Sequence, residues 1–391
     1  MKEPFAHGMM PAANHDERAR ENFVVSSRIH VEENITPGDE LVYEGRGKAR
    51  FTRQHGFAPR HHHDIRRAMR PDPYYQMWSA LTRTLKEMIW DDVGDSVLRQ
   101  LPDLIERAKP RSGARGTLTL DPALPVPRYN ATVDIHAMPG GYHSEIAPDD
   151  VYAGALYDRG GYYVVMSLVG SKGHGLQERP GALVMEGSTR NALHYLRQYF
   201  PELRPRRILD LGCAVGTSTL PYCDAFPEAE VFAVDYAAPL LRYGHARAEA
   251  LDKRVHFSQQ NAERTNFASN SFDLVVTHAV AHETSGKAWQ NILSECFRLL
   301  RRGGVTIHTE RKFFTGLSPH EAFVNDWDTY HENEPFKGRL RSQDPEALLH
   351  AGGFASDKTF FVGASRAMGG VPTFTRPGDP RAFGSLFGAV K

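Results

Sequence analysis

The chain has 391 residues, with 47 basic and 47 acidic side chains and a formal net charge of zero. This balance argues against a general binder of nucleic acid or of anionic membranes, because both attract strongly basic proteins. The length exceeds that of one compact core of usual size, so we expect two domains.

Residues 1–65 are polar and mixed in composition, and we predict an irregular N-terminal segment with a short strand around Val24–Val31. The run His61–Asp64 suggests a metal site. Adjacent histidines, however, rarely all face one ion, and no cysteine or second histidine pair stands at zinc spacing. We therefore interpret this run as solvated residues before a helix, and we predict no metal site in the chain.

Residues 66–184 are predicted to form a helical and extended region that serves as lid, dimerisation element or substrate wall. Apolar side chains recur there at steps of three and four, as in an amphipathic helix, at Tyr74, Trp78, Leu81, Leu85 and Met88. Asp91–Gly94 is predicted to break this helix, and Asp95 or Ser96 to cap a second one that ends at Pro110. Such a stripe is typical of a core or of a dimer interface, and we expect a homodimer.

The segment that follows is rich in glycine, proline and tyrosine. Thr117–Leu120 is predicted to be extended, either as an appendage or crossing to a partner subunit. Residues 151–185 carry Gly160 and Gly161 and four tyrosines, Tyr152, Tyr157, Tyr162 and Tyr163. We favour a hairpin at a domain boundary over the aromatic rim of a substrate pocket. A helix is expected from Ser188 to Tyr199.

The strongest motif is Asp210-Leu-Gly-Cys-Ala-Val-Gly216, which directly follows the apolar pair Ile208–Leu209. This pattern predicts a buried strand that ends in a glycine turn and continues into a helix, whose free N–H groups face a ligand. A second predicted strand, Ala229–Val234, ends at Asp235, where a carboxylate can bind ribose hydroxyls. The two strands together indicate a cofactor that contains adenosine.

The first motif lacks the third glycine of a dinucleotide-binding turn, G-x-G-x-x-G. Asp210, two positions before the first glycine, would repel a pyrophosphate, but it would attract an ammonium group. S-adenosylmethionine carries an ammonium and a sulfonium, so we predict it as the cofactor.

Later elements complete an alternation of strands and helices, which predicts a mostly parallel sheet with right-handed crossovers. Ser271–Thr277 is expected to be the fourth strand, and Val305–His308 the fifth. A last helix over Pro345–Phe354 leads to a strand at Lys358–Val362. Val371–Thr375 is the candidate for a last antiparallel strand, and residues 377–391 are left as a tail.

Residues 185–365 resemble the class I S-adenosylmethionine-dependent methyltransferases, nearest to the ubiquinone/menaquinone C-methyltransferases. The resemblance is based on the Asp210–Gly216 motif, on Asp235, on Asn261-Ala262-Glu263 and on Arg301–Gly304, which occur in the family's order. It implies a Rossmann-like α/β fold with a seven-stranded, mostly parallel sheet and helices on both faces, spanning residues 185–376.

The resemblance also implies the residues of the site. It places the cofactor-binding residues at Asp210, Gly212, Cys213, Gly216, Thr217, Asp235, Tyr236, Asn261, Ala262 and His278. Acceptor-side residues are implied in the loop after the fourth strand, where His282 is a candidate general base and the adjacent Glu283 fixes its tautomer. The alternative for His282 is a packed, hydrogen-bonded residue that transfers no proton. His278 and His282 alone offer too few ligands for a metal ion.

These features predict methyl transfer to a small-molecule acceptor with an oxygen, carbon or sulfur nucleophile, without nucleic acid or membrane as partner. Two alternatives remain, an NAD-dependent oxidoreductase and a regulatory protein that binds S-adenosylmethionine without transferring its methyl group. Three cysteines are typical of a protein of the reducing cytoplasm. We expect a cytoplasmic protein, because no stretch approaches the ~18 apolar residues of a membrane span.

Overall fold

The computed structural model of the protein describes residues 7–170, 184–365, 371–379 and 381–391. Fifteen α-helices lie in these ranges: α1 His15–His30, α2 Gly38–Val42, α3 Lys48–His55, α4 His62–Met69, α5 Pro73–Ala108, α6 Arg128–Ala131, α7 Tyr152–Gly170, α8 Val184–Tyr199, α9 Leu220–Ala225, α10 Ala238–Ala250, α11 Gly286–Leu299, α12 Pro319–Asn325, α13 Trp327–His331, α14 Lys337–Arg341 and α15 Pro345–Ala351. None of the helices in these ranges is both long and apolar enough to cross a bilayer. The side chains of Tyr162 and Tyr163 lie outside the described part of the structure.

The same ranges contain nine strands: β1 Thr117–Thr119, β2 Arg207–Leu211, β3 Glu230–Asp235, β4 His256–Gln259, β5 Phe272–His278, β6 Leu300–Arg311, β7 Thr359–Ala364, β8 Phe374–Thr375 and β9 Gly384–Val390. They form one sheet in the order β1-β4-β3-β2-β5-β6-β9-β7-β8. The strands from β1 to β6 are parallel, whereas β9 is antiparallel to both β6 and β7. Apolar clusters cover both faces, which explains why the inner strands are continuous hydrophobic runs. The predicted Rossmann-like α/β class is confirmed.

The sheet has nine strands rather than the predicted seven. Thr117–Thr119 pairs with β4 of the same chain and extends the sheet at that edge. Strand β9 lies in the segment that was predicted to be a tail, and it pairs with β6 and β7. Its sequence contains Gly384 and Gly388, and glycine is depleted in strands, which hid the pattern. A Cβ at Gly388 would lie 2.1 Å from the carbonyl oxygen of Thr306, so glycine is required there.

Residues 7–65 are mostly helical, so the predicted irregular segment and its short strand are wrong for this range. Helix α1 begins with a capping box, in which the Asn14 side chain accepts from the Glu17 N–H and the Glu17 carboxylate accepts from the Asn14 N–H. Val24 and Val25 are buried within this helix. The polar composition reflects ion pairs with other helices, such as the buried pair of Glu21 with Arg159 at 2.9 Å.

Helix α5 runs unbroken through the predicted break at Asp91–Gly94 and spans about 54 Å at 1.5 Å per residue. Tertiary contacts decide this outcome. Arg20 of α1 binds Asp92 and Asp95 at 3.2 and 3.0 Å. A Cβ at Gly94 would lie 3.2 Å from the Tyr152 hydroxyl, so the glycine allows helix α7 to approach closely.

Residues 152–170 form helix α7, and the favoured hairpin is wrong. The glycines that suggested a hairpin are packing positions on this helix. A Cβ at Gly160 would lie 2.3 Å from the Trp90 ring of α5, and a Cβ at Gly154 would lie 2.5 Å from Tyr243 of α10. Helix α7 therefore packs against both α5 and α10.

One apolar cluster joins the N-terminal helices to the α/β part of the chain. It contains buried residues of α1, α5 and α7 together with Val215, Leu240 and Tyr243. The N-terminal region thus covers helix α10 and the turn after β2, at the carboxyl edge of the sheet, where the cofactor was predicted to bind.

Candidate active site

The turn after β2 has the backbone that its glycines predict. Gly212 has a φ of +76°, and a Cβ there would lie 2.6 Å from the Val280 side chain. The amides of Gly212 and Cys213 both donate to the carbonyl of Val234 at 2.8 and 3.0 Å. The turn is therefore tied to the end of β3 and to the loop after β5.

Asp210 is fully buried at the end of β2, behind the turn. Its Oδ2 accepts hydrogen bonds from the hydroxyls of Thr219 at 2.6 Å and Ser218 at 3.2 Å. Its Oδ1 is buried and has no hydrogen-bond partner among the described residues. Burial raises the pKa of Asp210 to about 7, although the two hydroxyls act in the opposite direction. A buried carboxylate with a free oxygen is suited to a cationic ligand group nearby.

Asp235 ends β3 at the edge of a cavity. Its two oxygens accept the amides of Ala214 and Ala237, each at 3.0 Å, which fixes the carboxylate. Each oxygen keeps a free lone pair for a ligand hydroxyl. Burial raises the pKa of Asp235 to about 6, and the two amide hydrogen bonds oppose this shift.

The cavity has a volume of about 740 Å³ when the part that is open to solvent is counted. Residues of the predicted cofactor site line one side, namely Gly212, Cys213, Asp235, Tyr236, Asn261, Ala262 and His278. Residues that precede the α/β part form another wall, namely Pro127, Tyr129, Asn130, Tyr142 and Tyr157.

Three of the predicted cofactor residues are placed differently. Asp210 lies behind Ser218, which lines the cavity in its stead. Thr217 is buried, and neither Thr217 nor Gly216 is among the described residues that line the cavity. Gly216 instead keeps the turn close to the core, because a Cβ there would lie 3.1 Å from the Phe257 ring.

Tyr236 and Asn261 offer polar atoms at the cavity. The Tyr236 hydroxyl is buried and lacks a hydrogen-bond partner among the described residues. Asn261 Oδ1 accepts from the Glu263 N–H at 2.8 Å and retains a second lone pair. His278 also lines the cavity, but Tyr222 and Thr309 engage its two ring nitrogens at 3.1 and 2.8 Å. Burial lowers the pKa of His278 to about 3, so this ring is neutral.

Glu283 lines the end of the cavity that lies against the N-terminal wall. Its Oε1 accepts from the Tyr142 hydroxyl at 3.0 Å and lies 2.9 Å from His136 Nε2. Burial lowers the pKa of His136, but the carboxylates of Glu334 and Glu283 outweigh burial and raise it to about 9. Burial also raises the pKa of Tyr142 well above its usual value, so its hydroxyl stays neutral.

The carboxylate that holds His282 is Glu310, not the adjacent Glu283. His282 Nδ1 lies 2.6 Å from Glu310 Oε2, whereas its Nε2 lies 3.8 Å from Glu283 Oε1. The imidazole is 3% exposed and is not among the described residues that line the cavity. Direct contact between His282 and a ligand in the cavity therefore requires rearrangement.

Sequence reasoning missed His136, Tyr142, Glu310 and Glu334. Glu310 lies near the end of β6, and an acidic residue that follows an apolar strand could have indicated a site residue at this edge of the sheet. His136 lies in an irregular stretch with a left-handed backbone, φ 58°, which no local pattern indicates.

Part of this chain is similar in sequence to known methyltransferases. Residues 208–304 match the family model described as a methyltransferase domain. A tRNA N(3)-methylcytidine methyltransferase from Drosophila melanogaster is 30% identical over 130 residues, which is 29% of this chain and 40% of that protein. A demethylmenaquinone methyltransferase from Thermus thermophilus is 34% identical over 103 residues, 26% of this chain and 46% of that protein. The chain thus spans less than half the length of either relative.

Among solved structures, a phosphoethanolamine N-methyltransferase from Haemonchus contortus in complex with S-adenosyl-L-methionine is 17% identical and has a TM-score of 0.38. The match covers 52% of each chain. The family model and the relatives together confirm the predicted class I methyltransferase domain and its cofactor, S-adenosylmethionine. They favour a methyltransferase over the NAD-dependent oxidoreductase as the interpretation of the first motif.

Proposed function

Since the chain carries a class I S-adenosylmethionine-dependent methyltransferase domain, we propose that it methylates a small molecule bound between the sheet edge and residues 127–157. One observation carries this proposal. The cavity that begins at the cofactor motif has a second wall of side chains from outside the methyltransferase domain, and we propose that donor and acceptor meet between the two walls. An acceptor positioned there reacts as if the step were unimolecular.

On the cofactor side, Asp235 is proposed to bind the ribose hydroxyls with its two amide-held oxygens. Asn261 and Ala262 are proposed to contact the adenine. The buried Tyr236 hydroxyl, which has no hydrogen-bond partner among the described residues, is proposed to form a hydrogen bond with the bound ligand. Asp210, one layer behind, is proposed to stabilise the ammonium group electrostatically. S-adenosylmethionine supplies an electrophilic methyl group on its sulfonium.

On the acceptor side, Tyr129, Tyr142 and Tyr157 supply apolar ring surface with neutral hydroxyls. Burial raises the pKa of each of these tyrosines. Glu283 supplies the one carboxylate on this wall. This combination favours a polar acceptor with an aromatic or apolar body and an oxygen, carbon or sulfur nucleophile.

We propose that His282 acts from behind Glu283 and positions it, rather than taking a proton from the acceptor directly. The support is its burial and its bond to Glu310. His282→Ala should leave S-adenosylmethionine affinity within about threefold and lower turnover about 100-fold, the cost of a misplaced group in the site. Retention of more than about a third of the turnover would remove the positioning role.

A homodimer in the cytoplasm completes the proposal. Leu81, which belongs to the apolar stripe predicted for α5, is 38% exposed and is available for such an interface. Light scattering at several concentrations measures the mass, and a monomer throughout contradicts the dimer.

The experiment that tests the function offers the full chain S-adenosylmethionine with a labelled methyl group. Metabolite extract, total tRNA and rRNA are supplied in parallel. We expect label in small molecules only, because the net charge is zero and the cavity is walled by tyrosines rather than by basic side chains. Label in tRNA or rRNA instead would contradict the small-molecule acceptor. Tight cofactor binding without transfer to any pool would favour the regulatory protein.

A further inference from the structure

Four ionisable side chains converge beside the acceptor wall from three separate segments. They are His136, His282, Glu283 and Glu334. One ligand atom each from His136, His282 and Glu283 lie within 4.8 Å of one another. His282 Nε2 is 3.8 Å from Glu283 Oε1 and 3.7 Å from Glu334 Oε2. These separations are too long for direct hydrogen bonds, but they are the spacing of donors around one ion.

The far nitrogen of His282 is held by a buried carboxylate, since His282 Nδ1 lies 2.6 Å from Glu310 Oε2. His136 Nδ1 lies 2.9 Å from Glu334 Oε1, but this contact lacks the geometry of a hydrogen bond. Both carboxylates are at most 2% exposed. Histidine ligands of metals characteristically have this outer contact, which fixes the tautomer and directs the other nitrogen to the ion. The bond to Glu310 therefore leaves His282 Nε2 as the nitrogen that can face an ion.

A second observation points to a missing ligand. Glu334 Oε2 is buried and has no hydrogen-bond partner among the described residues, and the side chain is 1% exposed. Its other oxygen accepts from Lys337 Nζ at 2.8 Å. A buried carboxylate oxygen without a partner costs free energy that a cation would recover.

We propose that His136 Nε2, His282 Nε2 and Glu283 bind a divalent transition-metal ion, with Glu334 Oε2 as the fourth ligand. Two imidazoles with carboxylates suit Zn²⁺, Fe²⁺ or Mn²⁺, whereas Mg²⁺ and Ca²⁺ prefer oxygen ligands only. His282 is then a ligand, which fits its distance from the cavity. The proposal replaces the sequence-based prediction of a chain without a metal site.

The ion would lie at the Glu283 end of the cavity. A fifth position, which Zn²⁺ can add to its four ligands, would bind an acceptor oxygen and lower the pKa of its hydroxyl. This consequence rests on the proposed function, and it narrows the acceptor to one with an oxygen beside the methylated atom. Binding of the ion itself is independent of it and is tested without cofactor or acceptor.

The test titrates the chelator-treated full chain with Zn²⁺ in a calorimeter. We expect one ion per chain. His136→Asn, His282→Asn and Glu283→Gln should each weaken binding at least ~10- to 100-fold, the range already seen when outer contacts of a ligand are removed. Circular dichroism checks each fold.

The matched control is His62→Asn. His62, His63 and Asp326 form a separate group with metal-ligand spacing in the described part of the chain, so this variant removes a histidine of equal potential elsewhere. The His62→Asn variant should change the affinity for Zn²⁺ less than twofold. Loss of binding in His62→Asn, or no stoichiometric binding by the native chain, would overturn the proposal and leave His136 as an imidazolium between two carboxylates.

X-ray absorption of the Zn²⁺-loaded native chain needs no variant and decides the case if the variants misfold. We expect two imidazole nitrogens at about 2.0–2.1 Å and oxygen as the remaining ligands. Sulfur in the first shell, or no imidazole, contradicts the site.

Discussion

At the scale of single residues, the site contains two buried carboxyl groups, and their ionised form is unfavourable in free energy unless a ligand binds. Asp210 and Asp235 are both buried, and burial raises the pKa of the first to about 7 and of the second to about 6. Such groups occur where binding supplies the compensating interaction. The cofactor's ammonium and ribose hydroxyls are suited to do so.

Asp235→Asn should weaken S-adenosylmethionine binding by more than tenfold, or about 1.4 kcal/mol. The amide keeps the size of the carboxylate but loses one acceptor oxygen and the charge. Calorimetry measures the affinity, and the exposed acid Asp357, changed to Asn, is the matched control. Equal affinity in Asp235→Asn and the native chain, with both folded, would mean that the ribose lies elsewhere.

The affinity for S-adenosylmethionine should fall as pH is lowered from 8 to 5. Asp210 and Asp235 bind a cation and hydroxyl donors best when ionised, and they become protonated as pH falls through about 7 and about 6. His278 does not contribute, because its pKa is about 3. A flat profile over this range would show that neither carboxylate titrates in the free protein.

At the scale of elements, close helix packing depends on glycines that a sequence pattern assigns to turns. Gly160→Ala should destabilise the protein by about 1–3 kcal/mol, the usual cost of overpacking, because the new methyl group would meet the Trp90 ring. Gly161→Ala is the control, since nothing lies within 4 Å of its Cβ position, and it should be neutral or stabilising. Denaturant unfolding compares the two. Equal stability of the variants contradicts the packing of α7 on α5.

The elements that could be predicted from the sequence are those in which the local pattern of residues alone determines the structure. The β2 turn, Asp235 at a strand end and helix α8 followed from apolar runs, glycines and caps. The N-terminal helices, the continuity of α5 and strand β9 did not, because tertiary contacts of Arg20, Gly94 and Gly388 decide them. For the same reason the partners of His282 could not be predicted, since Glu310 lies on another strand and Glu334 in a distant loop.

At the scale of the whole molecule, the N-terminal helices and the α/β part share one apolar cluster and one cavity. Thermal unfolding should therefore show a single transition that saturating S-adenosylhomocysteine shifts upward. A ligand at 100 times its Kd adds about 2.7 kcal/mol to the stability of everything that unfolds with its site. NAD at the same concentration is the control and should shift nothing. Two transitions, of which the ligand shifts one, would mean that the N-terminal helices do not close the site.

The central claim is that the cofactor and the acceptor share the cavity between the sheet edge and residues 127–157. A crystal structure of the full chain with S-adenosylhomocysteine tests it most directly. We expect ribose hydroxyls within hydrogen-bond distance of Asp235, adenine against Asn261 and Ala262, and the sulfur facing Glu283 and the tyrosine wall. A ligand bound outside this cavity, or one whose sulfur faces away from residues 127–157, would contradict it.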